Sequence, residues 1–274
     1  MGIVNITPNS FSDTGAHLDP AAAIAHGQQL IKDGAAILDL GAEASSFFRP
    51  GVLPVESAEQ IRRLVPVIKE LAAKTDALLS IDTRSAEVAW AALAAGAHIL
   101  NDVSAGTHDP AMLATAAEFG VPIILMHISP SFPNNPASDD PIFGVTVRDY
   151  LLARAAAARA AGVSAENIWV DPGIGFGKTQ MENFGLAIDF PCRDDIPFPM
   201  VLGVSRKRFL TSPEFVDLAE TPELAALSPL ATHERDVATA AVVYHHASLP
   251  PRFRGLIHRV HNVAIAAAAM SNAG

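Results

Sequence analysis

One cysteine, Cys192, stands in 274 residues. With no second thiol the chain has no intrachain disulfide and no cysteine-built zinc site, which is the usage of a reducing cytosol. Cys192 reads as an unpaired thiol. Cations are also scarce. Nineteen Lys and Arg against 29 Asp and Glu leave a formal charge of −10 and a pI near 5.4, which excludes a broad phosphate-binding surface and hence a nucleic-acid partner. No apolar run approaches the roughly 18 residues of a membrane span. Met1-Gly2-Ile3-Val4-Asn5 lacks the basic region and the apolar stretch of about 7–15 residues found in a signal peptide. There is no low-complexity tail, no linker and no internal repeat beyond a βα unit. These absences leave a cytoplasmic protein whose partners are small molecules, any anionic one of them held by local cations or a metal.

What is present is a large apolar fraction, 50%, with Ala-rich stretches at helical spacing. The length suits one α/β barrel of about 250 residues or a two-domain protein. A single domain over 1–274 is the expectation. Apolar runs of strand length alternate with longer helical segments, the pattern of a parallel sheet. The predicted strands are 2–7, 36–41, 77–82, 98–103, 122–127, 167–171, 200–205 and 256–261. The predicted helices are 20–33, 55–74, 85–95, 110–119, 145–161, 180–188, 233–246 and 263–270. Eight strands alternating with helices predict a (β/α)8 TIM barrel.

Each apolar run ends in a different polar residue: Asn5, Glu43, Asp82, Asn101, His127, Asp171, Lys207 and His261. In a closed parallel barrel all strands point their C-terminal ends at one mouth, so unlike polar groups converge there as a binding site. Connections 8–19, 44–54 and 128–146 are long and polar. All three follow strands, where such loops serve as lids or binding loops. A fourth, 211–232, carries three prolines and four acids and is expected to hold a short helix at 222–227.

Several of these groups carry two readings. Asp82, in Ser80-Ile81-Asp82-Thr83-Arg84, is an acid at the end of an apolar strand. It suits a carboxylate that reads a flat N–H-rich heterocycle, or an N-cap for the helix beginning at 85. His127 and His261 read either as ligands or as satisfied strand-end histidines, and Arg206 and Lys207 as ligands or as a solvated pair. His245 and His246 lack a third metal ligand in sequence and read as structural. Asn101-Asp102 and Asp171-Pro172-Gly173-Ile174-Gly175-Phe176-Gly177 are stronger in combination with Asp82. Three amide-reading groups then sit at neighbouring strand ends, and glycines let the backbone approach a ligand closely.

The blocks Gly2-Ile3-Val4-Asn5-Ile6-Thr7-Pro8-Asn9-Ser10-Phe11-Ser12-Asp13, Asp39-Leu40-Gly41-Ala42-Glu43, Ser80-Ile81-Asp82-Thr83, Leu100-Asn101-Asp102-Val103, Leu125-Met126-His127, Asp171-Pro172-Gly173-Ile174-Gly175-Phe176, Gly203-Val204-Ser205-Arg206-Lys207 and Arg259-Val260-His261 resemble the dihydropteroate synthase family in order and spacing. The resemblance covers nearly the whole chain. It implies that Asp82, Asn101, Asp171 and Lys207 hold a pterin ring with Met126 packed against it. Asn5, Arg49, Arg259 and His261 would bind the pyrophosphate leaving group, with Asn5 beside a Mg²⁺ ion. Phe11, Asp13, Arg49 and Pro50 would come from two mobile loops that close over 4-aminobenzoate, with Arg206 and Lys207 on its far side. Asp13, Lys207, Arg259 and His261 are the implied catalytic residues. The family is usually a homodimer.

The chain departs from the family in its second loop. The usual Gly-Glu-Ser-Thr-Arg-Pro-Gly becomes Gly41-Ala42-Glu43-Ala44-Ser45-Ser46-Phe47-Phe48-Arg49-Pro50-Gly51, with three residues added and two of them phenylalanine. Phe47 or Phe48 is expected either to narrow the aminobenzoate pocket against sulfonamides or to anchor the loop. Asn9 and Asn262 replace family aspartates and lower the negative charge near the diphosphate. The chain begins inside its first predicted strand without the short hairpin that often precedes it, so either the barrel floor is less covered or the start lies upstream. Two other functions share the Asp82, Asn101 and Asp171 blocks: a methyltetrahydrofolate-dependent methyltransferase, and a non-catalytic pterin-binding paralogue. The first lacks the diphosphate residues seen here.

Overall fold

A computed structural model describes residues 1–7, 20–43, 53–130, 132, 143–211, 232–249 and 255–273. The chain divides into two compact units, Met1–Met126 with Ala153–Trp169, and His127–Leu152 with Val170–Gly274. Eight strands are described: β1 (Gly2–Asn5), β2 (Ile37–Gly41), β3 (Leu78–Asp82), β4 (Ile99–Asp102), β5 (Ile123–Met126), β6 (Ile168–Asp171), β7 (Met200–Leu202) and β8 (Leu256–His258). Eight α-helices alternate with them: α1 (Pro20–Lys32), α2 (Ser57–Lys74), α3 (Ala86–Ala94), α4 (Met112–Phe119), α5 (Phe143–Ala160), α6 (Gln180–Ile188), α7 (Thr232–Ala247) and α8 (Val263–Asn272). β1 to β5 pair in order in the first unit and β6 to β8 in the second, all parallel. Strand and helix alternate as in the (β/α)8 TIM-barrel fold.

In the first unit the strands are buried on both faces, so they read as near-continuous apolar runs. Leu38, Leu40, Leu79, Ile81 and Leu100 are fully buried, as are Leu64, Val67, Ile68 and Leu71 of α2. Gly27 of α1 lets that helix sit close to β2: a Cβ there would lie 3.1 Å from the Leu38 side chain and 3.4 Å from Leu71. In the second unit Val170, Met200, Leu202 and Val204 pack with Val147, Leu151, Leu186, Phe190, Phe209 and Val242 in one core.

Local chemistry sets the element ends. α3 starts at Ser85, whose Oγ accepts the Val88 N–H, so Asp82 is not its cap. α6 starts at a capping box in which Thr179 and Glu182 bond each other's backbone N–H. α2 begins two residues later than expected, because the Val55 N–H donates to Glu43 Oε1 and the Val55 carbonyl accepts Gln60 Nε2. β7 stops three residues short of its expected end. Arg206 lies at φ 60°, which no strand can accommodate. β8 likewise ends at His258. Short 3-10 turns at Ala165–Asn167, Phe190–Cys192 and Arg208–Thr211 were not expected, since so short a turn has no periodicity to read. The expected helix at 222–227, the loop 8–19 and most of loops 44–54, 128–146 and 211–232 lie outside the described residues.

Candidate active site

Strand register in the first unit places predicted residues in one row. Asn5 pairs with Gly41, Gly41 with Asp82, Asp82 with Asn101, and Asn101 with Ile124. Side chains two apart on a strand share a face, so on that face Met126 lies one step above this row and Asp39 and Ser80 one step below it. Gly41 keeps the row open beside Asp82, whose Cβ would lie 3.4 Å from a Cβ added at residue 41.

Below the row sits a buried polar network. Asp39, inside an apolar strand, accepts the Ser80 hydroxyl on Oδ1 at 2.6 Å and the Asn101 Nδ2–H on Oδ2 at 3.0 Å. An acid without donors would be costly there. The network therefore spans β2, β3 and β4, and it fixes which end of the Asn101 amide faces away. Asp102 plays a different part, accepting the backbone N–H groups of Ser104 and Gly106 and the Ser104 hydroxyl, and so folds its own turn.

The second unit gathers the other predicted residues. Asp171, at the end of β6 and 6% exposed, accepts the Gly173 N–H at 2.7 Å. Burial pushes its carboxyl up to about 6, against the pull of that N–H and of Arg259, Lys207 and Lys178. Lys207 is brought down to about 8 by burial and by Arg259, with Asp171 opposing. Its Nζ lies 4.5 Å from the centroid of the Phe176 ring.

Ser205 Oγ accepts the His261 backbone N–H at 3.1 Å and lies 2.9 Å from His261 Nδ1. Burial, Arg206 and Arg259 lower His261 to about 4, so the imidazole is neutral at pH 7. With Nδ1 taken up by the serine hydroxyl, Nε2 carries the proton for an anionic ligand. Arg206 donates Nε and one terminal nitrogen to the two oxygens of Asp236 at 2.7 and 2.9 Å. Burial alone would raise Asp236, but this bidentate pairing holds it below the usual carboxylate range. Asn262 caps α8 through the Ile265 N–H and turns its Nδ2 toward Asp236 at 3.4 Å, a donation that an aspartate at 262 could not make.

His127 is not a satisfied histidine. It is 3% exposed, and its Nδ1 is buried with no hydrogen-bond partner. The ring meets Tyr150 and Phe143 edge-on at 4.9 and 5.9 Å between centroids. Burial lowers it to about 3. His246 is structural, as expected, but in a pair that sequence did not suggest: its Nδ1 lies 2.9 Å from His258 Nε2. Phe11, Asp13, Arg49, Pro50, Phe47 and Phe48 lie outside the described residues. Among the described residues no group of three or more His, Cys, Asp or Glu could hold a metal ion, and no helix is long and apolar enough to cross a membrane.

Two residues of this site were missed from sequence. Asp39 had a readable signal, an acid flanked by Leu38 and Leu40. Lys178 had a weaker one, a cation directly after a glycine run in a cation-poor chain.

The geometry agrees with what comparison shows. The family described as "Pterin binding enzyme" matches residues 1–249, and the chain belongs to it. It is 47% identical over 209 residues to the dihydropteroate synthase of Streptococcus pyogenes, covering 76% of this chain and 74% of that one. It is also similar to the Xanthomonas albilineans dihydropteroate synthase solved with 4-aminobenzoic acid, at 35% identity and a TM-score of 0.82, covering 99% of this chain and 90% of that one. The same enzyme in complex with 7,8-dihydropteroate matches at 34% identity and a TM-score of 0.79, with the same coverage.

Proposed function

We propose that this protein is a dihydropteroate synthase, a transferase of folate biosynthesis working in the cytosol. It joins 6-hydroxymethyl-7,8-dihydropterin pyrophosphate to 4-aminobenzoate and releases pyrophosphate. The observation that carries this reading is the pairing of charges at Asp171, which is buried, and Lys207, which is half-buried, each acting on the other electrostatically. A 2-amino-4-oxo-pterin offers adjacent N–H donors to a carboxylate and a carbonyl to an ammonium. The family's solved relatives with 4-aminobenzoic acid and 7,8-dihydropteroate support it.

By the family resemblance, Asp82, Asn101, Asp171 and Lys207 hold the pterin, with Met126 against its face. Arg259 and the Nε2–H of His261 bind the diphosphate. The bond from the pterin methylene carbon to the diphosphate oxygen breaks, and the carboxylates of Asp82 and Asp171 temper the positive charge left on the pterin. The arylamine nitrogen then bonds the methylene carbon and gives up a proton. Phe11, Asp13, Arg49, Pro50 and Arg206 line the aminobenzoate side and exclude water from the electrophile.

Asn5 offers one neutral oxygen at the end of β1. That hard oxygen would be one protein ligand of a Mg²⁺ ion, which commonly keeps several waters and is bound together with substrate phosphates. When bound, the ion supplies charge neutralisation on the leaving group. The protein acts as a homodimer, which light scattering on the purified chain tests directly. Phe47 or Phe48 narrows the aminobenzoate pocket against sulfonamides, and unchanged drug inhibition after deletion of the inserted segment would sink that idea.

The test of the activity is to incubate the protein with both substrates and Mg²⁺ and follow pyrophosphate and dihydropteroate together. Product formation is expected. Pterin binding without product would favour the non-catalytic paralogue.

A further inference from the structure

Lys178 is 7% exposed, and its ammonium makes three hydrogen bonds, all to backbone carbonyls. Gly173 accepts at 2.7 Å, Phe176 at 3.1 Å and His127 at 3.2 Å. An ammonium has three N–H donors, so the group is saturated without any carboxylate in contact. The charged groups around it are Asp171, Lys207 and Glu182, and the Phe143 ring lies 5.8 Å from Nζ. Its acceptors belong to two segments, the end of β5 and the glycine loop after β6.

Inside that loop one turn bond, from the Phe176 N–H to the Gly173 carbonyl at 3.1 Å, sets part of its path. Gly173, Gly175 and Gly177 have φ values of 69°, 84° and 71°, and glycine populates such values about as readily as their negatives. External bonds choose the rest. The Gly173 N–H goes to Asp171 and the Gly175 N–H to Asn183 Oδ1 at 2.6 Å; the carbonyls of Gly173 and Phe176 go to Lys178. The loop in turn confines Lys207. A Cβ at Gly175 would lie 3.0 Å from both Lys207 Cδ and Nζ, and the Phe176 ring faces the same Nζ.

We propose that Lys178 is a positioning residue for the pterin end of the site: its ammonium is an internal cation whose carbonyl tripod fixes the glycine loop and, through Gly175 and Phe176, the reach of Lys207. The inference deepens the synthase reading and rests on it for the substrate concerned. Its chemistry is that of a monovalent cation in a carbonyl ring. A small amine delivered from solution therefore replaces the side chain where the side chain has been removed.

Two kinds of measurement test it. The first needs no substrate. Trace acetylation followed by peptide mass spectrometry reads the reactivity of each lysine amine. In Lys178→Met, Lys207 is expected to label about fivefold faster or more as its confinement loosens, while exposed Lys32 and Lys74 stay unchanged. The second is a pterin titration and a kinetic split. Lys178→Met is expected to weaken pterin binding about tenfold or more and to leave the KM for 4-aminobenzoate within about twofold. Lys178→Ala is expected to regain pterin affinity in methylammonium chloride but not in tetramethylammonium chloride, which has no N–H to donate. Lys178→Gln keeps two N–H donors, is the variant least prone to unfold, and is predicted to fall between wild type and Lys178→Met in both readouts. Unchanged Lys207 labelling in Lys178→Met or Lys178→Gln overturns the proposal, whatever the protein binds. Wild-type protein that binds no pterin counts against the synthase reading, and the labelling result still judges the loop.

Discussion

Asn101 donates its Nδ2–H to Asp39 Oδ2 across 3.0 Å, and that bond decides which way the amide faces. The carboxylate oxygen accepts, so the amide nitrogen must point to it and the amide oxygen is presented to a ligand's N–H. Asp39→Asn removes this choice, because an amide at 39 can pair with either end of Asn101. Pterin affinity is expected to fall about tenfold, roughly 1.4 kcal/mol, with the KM for 4-aminobenzoate little changed. A fluorescence titration with the pterin substrate checks it.

The pH dependence of pterin binding follows from Asp171 and Lys207. The pterin's N–H groups need Asp171 as carboxylate, and burial pushes that group up to about 6, so affinity drops as pH falls below that value. The pterin carbonyl needs Lys207 as ammonium, and burial brings that group down to about 8, so affinity drops again above it. Lys178, lowered by burial to about 7, steepens the alkaline limb. The expected profile of 1/Kd is a bell between the two limits. Asp171→Asn is expected to abolish the acid limb alone.

Gly175→Ala tests the close approach of the glycine loop to Lys207. The new Cβ would sit at φ 84° and 3.0 Å from the lysine's Cδ and Nζ. A non-glycine residue in that region costs about 1–2 kcal/mol, and the lysine must move. Calorimetry should show a lower Tm, and pterin affinity should fall further than the stability loss explains.

The His246–His258 pair predicts acid sensitivity in the fold. His246 Nε2 donates to the Ala187 carbonyl at 2.7 Å, so its Nδ1 accepts from His258 Nε2, and both rings are neutral. Burial lowers His246 to about 4 and His258 to about 3, from 6.5 in the unfolded chain. Below pH 6.5 the unfolded chain takes up protons that the folded pair refuses, so stability is lost as pH falls toward 4. The expected slope is about 1 kcal/mol per pH unit or more. His246→Leu combined with His258→Leu should flatten it in urea melts at pH 7 and pH 5.

Much of this site was legible in the sequence because it is built at strand ends. Asn5, Asp82, Asn101 and Met126 each close an apolar run, and register then brings them to one face. Helix α6 was readable to both ends because its capping box is written in Thr179 and Glu182. The strands before Lys207 and His261 were drawn too long, since Val204 and Val260 continue the apolar pattern after β7 and β8 have ended at Leu202 and His258. Lys178 and Asp39 escaped for different reasons. Lys178 bonds backbone carbonyls, which carry no sequence signal at all, and Asp39 reaches Ser80 and Asn101 on other strands. The Arg206–Asp236 pair was invisible for the same reason as Asp39, since 30 positions separate its members.

The most direct test of the account is the rate of dihydropteroate formation by the wild-type protein beside Asp171→Asn, measured by mass spectrometry with pterin pyrophosphate, 4-aminobenzoate and Mg²⁺. The prediction is product from the wild type and a loss of about a hundredfold or more in kcat/KM for the pterin in the variant, since an amide cannot accept two N–H donors as a carboxylate does. No product from the wild type, or equal rates from both proteins, would contradict it.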